Sequence, residues 1–261
     1  MAVTISMIML AADKAPHAAD VERELRRRYP ELKASLVSDA KEDTPAFELE
    51  KGQLILGHMP GPIPWTDLEG PCATSILWKN AAEEVKAHQA HIVVTVLSEL
   101  EPVEKAILLT QCTAAVLAAS DAAIGVYWGR ATLVVPKVIF LEFAEKILPV
   151  GPPLDIWVDF RVGWTTKTAS AGFTQGMEAL GHMELEVLEI PEKPAELRQR
   201  LQELALYLLE NGPVIRDGHT VGQDENEKIR VVYSESAYGN ARQVMRLQYE
   251  AAPKRPWWKL I

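Results

Sequence analysis

Two apolar runs of strand length, residues 92–97 and 183–188, are each followed by a short acidic turn containing proline and then by a long helical pattern, at 102–119 and 194–209. A strand that feeds a helix must bury the helix's apolar stripe against a sheet, so this order commits the chain to layers of helix on sheet. The repetition of the order, at low identity, points to two related units. Around it lie shorter strand patterns at 1–11, 32–37, 46–50, 53–57, 122–128, 154–164, 169–173, 184–190, 229–233 and 244–249. A further helix is marked at 20–29, where Val21, Leu25 and Tyr29 recur every fourth residue. The expected fold class is α+β: two similar units of mainly antiparallel sheet covered by helices, ferredoxin-like, packed as one compact protein. The halves are expected at 1–150 and 151–261, divided at Pro149-Val150-Gly151-Pro152-Pro153.

Local chemistry sharpens several elements. Residues 1–11 are almost wholly apolar, which suits a strand buried on both faces. Residues 59–71 hold Pro60, Pro62, Pro64 and Pro71 and read as a shaped loop, with a helix following at 76–88. Asn211-Gly212-Pro213 ends the 194–209 helix with a left-handed cap and a residue that cannot continue it. Polar turns are expected at 39–43 and 222–228, and Trp257-Trp258 lie in a basic, aromatic tail.

Composition narrows the function. The formal charge of −9 argues against a nucleic-acid grip, which requires a net basic face. No membrane partner is expected, because no run is long and apolar enough to span a bilayer, and no basic leader precedes the first strand. Two cysteines, Cys72 and Cys112, are too few for a disulfide framework or a zinc cage, so the expected setting is the cytosol, without a cofactor or metal. The chain has no GxGxxG after a strand, and no GxxxxGK[ST], HExxH or GxSxG.

The candidates that remain each have a cheaper structural explanation. His88 and His91 have ligand-compatible spacing but suit a helix end. Cys72 stands near a helix start, where a thiolate would be favoured, yet a small residue beneath a tight loop explains it as well. Cys112 reads as core. Asp155, Asp159 and Arg161 alternate with Ile156, Val158 and Phe160, the pattern of a half-exposed strand. Asp217, His219 and Thr220 are acid–base residue types, placed where Asp217-Gly218 reads as a turn.

The run Thr174-Gln175-Gly176-Met177-Glu178-Ala179-Leu180-Gly181-His182-Met183-Glu184-Leu185-Glu186, with Tyr207-Leu208-Leu209-Glu210-Asn211-Gly212 and Asp217-Gly218-His219-Thr220-Val221-Gly222, resembles the bacterial DUF4261 family. Ile63-Pro64-Trp65, Leu77-Trp78-Lys79-Asn80 and Val126-Tyr127-Trp128 look like segments of its full-length members. The resemblance implies a cytosolic bacterial α+β protein and transfers no catalytic residue. Acidic proteins of this general kind often stand beside secreted toxins as immunity factors. The expected function is therefore non-enzymatic binding of another protein, such as a basic toxin domain occluded by an immunity protein, with Trp65, Asp67 and Glu69 as the partner site. One alternative is a small-ligand or enzyme site at Glu178, His182, Asp217 and His219. Another is a homo-oligomer with no further ligand.

Overall fold

The fold is that of a computed structural model, which describes residues 2–37, 44–222 and 228–249. The turns expected at 39–43 and 222–228 lie wholly or largely outside the described residues, as does the Trp257-Trp258 tail. The chain forms two compact units, 1–159 with 179–181, and 160–178 with 182–261.

The first unit runs β1 (Ala2–Leu10), α1 (Ala18–Arg28), β2 (Ser35–Leu36), β3 (Ala46–Leu49), β4 (Gly52–Met59), α2 (Trp65–Thr74), α3 (Ala81–Lys86), β5 (Ala90–Ser98), α4 (Pro102–Ala119), β6 (Ala123–Trp128), β7 (Leu133–Pro136), α5 (Lys137–Glu142) and α6 (Leu154–Trp157). Its strands form one sheet in the order β2-β3-β4-β5-β1-β6-β7, with antiparallel neighbours throughout. Since β5 and β6 both run antiparallel to β1, they are parallel to each other with β1 between them. Alternation sorts the side chains. Ser6, Ile8 and Leu10 of β1, with Val94 and Val96 of β5 and Leu54 and Leu56 of β4, face one way and are buried. Helices α1 and α4 pack together, and α4 lies against β1 and β5.

The apolar composition of α4 is explained by this position. Its Leu108, Leu109, Cys112, Ala114, Ala115, Val116 and Leu117 are core. Its buried hydroxyls are satisfied: Thr110 Oγ1 accepts the Trp157 indole N–H at 2.8 Å, and Thr113 Oγ1 meets Ser6 Oγ at 2.7 Å. Pro102 occupies the first turn, where the missing N–H costs nothing, and Glu104 accepts the Glu101 N–H at 3.3 Å.

The second unit runs β8 (Asp159–Trp164), β9 (Ser170–Gln175), a 3₁₀ turn (Met177–Leu180), β10 (Leu185–Ile190), α7 (Pro194–Asn211), β11 (Thr220–Val221), β12 (Ile229–Ser234) and β13 (Val244–Tyr249). The sheet order is β11-β12-β13-β10-β9-β8, with β10 and β13 parallel. Helix α7 buries Leu197, Leu201, Ala205 and Leu208 and ends as its sequence requires: Gly212 takes a φ of 77° and its N–H bonds to Leu208 O at 2.8 Å.

Several expectations are corrected. The two units are not alike: β5 and β6 are parallel strands separated by β1, whereas β10 and β13 are parallel neighbours. Strand β1 is not buried on both faces, since Val3 is 53% and Ile5 38% exposed. Residues 65–74 form a helix: Pro60, Pro62 and Pro64 precede it, Pro64 is its N-cap, and Pro71 is accommodated inside it among buried Leu68 and Cys72. The helix expected at 76–88 shortens to α3, and the strand expected at 32–37 to β2. Residues 154–157 turn once as α6, with Val158 N–H bonded to Leu154 O at 2.8 Å, so Asp155 is not on a strand and Asp159 is buried. Trp157 of α6 is buried in the first unit, and the division between units falls after Asp159.

Candidate functional site

The face of the first sheet opposite α1 and α4 carries Val3, Ile5, Met7 and Met9 of β1, Leu97, Thr95, Val93 and His91 of β5, and Gln53, Ile55, Gly57 and Met59 of β4. One end of this face is capped. Ile63, Leu68, Cys72, Trp78, Ala81 and Val85 from the α2–α3 segment form a cluster with Met9 and Val134, against which Met7, Trp65, Ile124 and Tyr127 pack. The segment is tied down by histidines. His88 Nε2 accepts the Ile63 N–H at 2.8 Å while Nδ1 bonds Val85 O, and His91 Nδ1 meets Gly61 O at 2.7 Å. His91 lies on β5 and His88 in the turn before it, so they do not share a helix.

Burial, which disfavours the charged form, holds His88 below the usual imidazole range, and its Nε2 serves as acceptor for the Ile63 N–H. His182 in the second unit is lowered by burial too. A histidine with a depressed folded pKa binds fewer protons folded than unfolded. Stability is therefore complete above about pH 6.5 and falls as pH drops, by at most about 1.4 kcal/mol per unit per group, levelling off once the folded form also protonates. Urea-unfolding midpoints between pH 8 and 5 should show this decline, with His88→Gln removing its share.

Beyond the cap the face is open. Val3 is 53% and Ile5 38% exposed, beside half-buried Ile55, Val93, Thr95 and Leu97. Glu48 of β3 lies exposed on the same face at its edge. Of the expected partner-site residues, Asp67 and Glu69 are exposed on α2, while Trp65 is half-buried with Lys86 Nζ 4.2 Å from its ring. Cys72 is buried in α2 and its thiol is pushed up to about 11 by burial, which removes the case for a reactive thiolate. Cys112 is pushed up to about 12 by the same cause.

The second unit places two buried glutamates side by side. Glu184 accepts Thr174 Oγ1–H and Gly176 N–H, each at 2.7 Å, and Glu178 N–H at 3.2 Å. Glu186 accepts Ala237 N–H at 3.1 Å, the Ser236 hydroxyl, and Arg246 Nη2 at 3.2 Å. Tyr238 stacks on Phe173 with ring centroids 4.6 Å apart. These contacts hold residues 236–238 onto the sheet face opposite the one that buries Leu185 and Val187. A separate cavity of about 740 Å³ opens between α7 and the β11–β12 edge, lined by Leu204, Tyr207, Ile215, His219, Ile229 and Leu247 among others.

Residues 173–248 match DUF4261, a domain of unknown function. No curated protein and no solved structure matches the chain. The DUF4261 segment begins within β9 and ends within β13, so it holds the glutamate pair, α7 and the cavity.

The four residues expected as a ligand site do not converge in that cavity. His219 lines it, and Glu178, His182 and Asp217 do not. Asp217 Oδ1 accepts the Tyr233 N–H at 2.8 Å, and Glu178 Oε2 lies 3.7 Å from Arg242 Nε. Sequence reasoning missed Glu184 and Glu186 as buried groups. Their alternation matches that of solvent-facing glutamates, and the Arg246 partner stands sixty positions away.

Proposed function

We propose that this protein is a non-enzymatic protein-binding module that docks a basic protein on the open part of the first unit's sheet. The observation behind this reading is the pair Val3 and Ile5, exposed on an interior strand of the sheet amid half-buried Ile55, Val93 and Leu97. An apolar centre with a polar edge is the usual anatomy of an interface, and exposed apolar patches mark interaction sites. The formal charge of −9 would speed encounter with a basic partner. It would also oppose self-association. A basic toxin domain fits this charge, with the module acting in a bacterial cytosol as an immunity protein by occlusion. The ferredoxin-like reading of the first unit is supported by its inner strand order β4-β5-β1-β6, with helices α1 and α4 between the appropriate strands.

The test is affinity capture from the native cell with tagged wild-type, Ile5→Asp and Asp67→Ala proteins, followed by titration of the captured partner. The expected result is a stoichiometric basic protein whose affinity falls about tenfold or more with Ile5→Asp, equivalent to about 1.4 kcal/mol. Asp67→Ala should weaken it less. Retention of full affinity by Ile5→Asp would overturn the reading.

A further inference from the structure

We propose that the second unit holds a separate site for a non-anionic, largely apolar small molecule with hydrogen-bonding groups at one end, seated between α7 and the β11–β12 edge. The cavity's volume of about 740 Å³ falls within the range of about 300–1,000 Å³ typical of ligand sites. Its floor is Ile229 and Leu247, both nearly inaccessible, and one wall is Leu204 and Tyr207, three positions apart on α7. The opposite wall is built by Val214 and Ile215 and by residues 219–222.

That opposite wall is pinned in place. Ile215 O accepts the Tyr233 hydroxyl at 2.5 Å, and Asp217 Oδ1 accepts the Tyr233 N–H at 2.8 Å. Gly218 N–H bonds Val231 O at 2.9 Å, and Val231 N–H bonds His219 O at 2.8 Å. The wall therefore does not need to be ordered by a ligand, which lowers the cost of binding. The role of Asp217 is to buttress this wall.

The lining also sets the ligand's charge. Arg200 is engaged by Glu192, with Nη2 to Oε1 at 2.6 Å, so its positive charge is met beside the cavity. An anionic ligand would lose its hydration without a dedicated counter-charge. His219 Nδ1 accepts the Arg216 N–H at 3.4 Å, which places the ring hydrogen on Nε2, and the Thr220 hydroxyl adds a second polar group. These two account for the hydrogen-bonding end.

A matched pair of dyes tests both claims: N-phenyl-1-naphthylamine, which is uncharged, and its sulfonated counterpart 1-anilinonaphthalene-8-sulfonate. The uncharged dye should bind the full chain saturably with one-to-one stoichiometry, and the sulfonate about tenfold or more weakly. Leu204→Trp, which fills the cavity, should weaken the uncharged dye by about tenfold or more. Val214→Trp, at a rim position 46% exposed, should do the same without burdening the core. Ile5→Asp should leave the dye unaffected. Non-saturable binding, indifference to both tryptophan variants, loss with Ile5→Asp, or equal affinity for the sulfonate would overturn the proposal.

Discussion

Replacing Glu186 by alanine should destabilise the second unit by about 3–5 kcal/mol, because removal of one partner leaves a largely buried guanidinium unpaired. The side chain of Glu186 is 2% and that of Arg246 17% exposed, so water cannot substitute for the lost carboxylate. The Ala237 N–H and the Ser236 hydroxyl lose their acceptor in the same step. Arg246 keeps one bond, from Nη2 to Glu235 O at 2.6 Å, which is too little to neutralise it. The double variant Glu186→Leu with Arg246→Met should recover part of the loss, since it removes the unpaired guanidinium but leaves the Ala237 N–H and the Ser236 hydroxyl without their acceptor. Urea-unfolding midpoints of the single and double variants check this. Equal stability of Glu186→Ala and wild type would contradict it.

Gly125→Ala should cost about 3 kcal/mol, at the upper end of what overpacking usually does. A β-carbon there would lie 2.5 Å from Trp78 Cζ3 and 2.5 Å from the Val135 carbonyl oxygen. The tryptophan could shift, but the carbonyl belongs to β7, paired with β6, and cannot move alone. Trp78 is part of the cap over the first sheet, and its indole N–H bonds Glu84 Oε2 at 3.0 Å. The substitution should therefore loosen the α2–α3 segment as well as lower the unfolding midpoint. Faster amide exchange at Ile63 and Trp78 would report that loosening, and unchanged exchange with unchanged stability would count against it.

These two sites show which part of the structure could be read from sequence. Helix α7 was legible because its apolar stripe, its opening Pro194 and its Gly212 cap all agree. Strand β5 was legible from its apolar run of strand length before an acidic, proline-containing turn. The partner-site helix α2 was not, because clustered prolines signal a loop, whereas here Pro64 caps a helix that carries Pro71 inside it and is held by the packing of Leu68 and Cys72. The open face was hidden by its own composition. Val3 and Ile5 read as core residues, and their exposure depends on how far the α2–α3 cap reaches across the sheet. Among the residues expected around His219, sequence proximity suggested a shared site, whereas the cavity excludes Asp217 and draws instead on α7.

The position of β1 inside its sheet, between β5 and β6, has a consequence for synthesis. Leu10 pairs with Ala90 and Met7 with Tyr127, so the strand leaves the ribosome well before either neighbour exists. At roughly 5–20 residues per second, the roughly 80 further residues that bring in β5 take about 4–16 seconds, during which an apolar, unpaired strand is exposed to other nascent chains. A chaperone that shields such segments during translation should therefore raise the yield of correctly folded protein more than one supplied after the chain is complete.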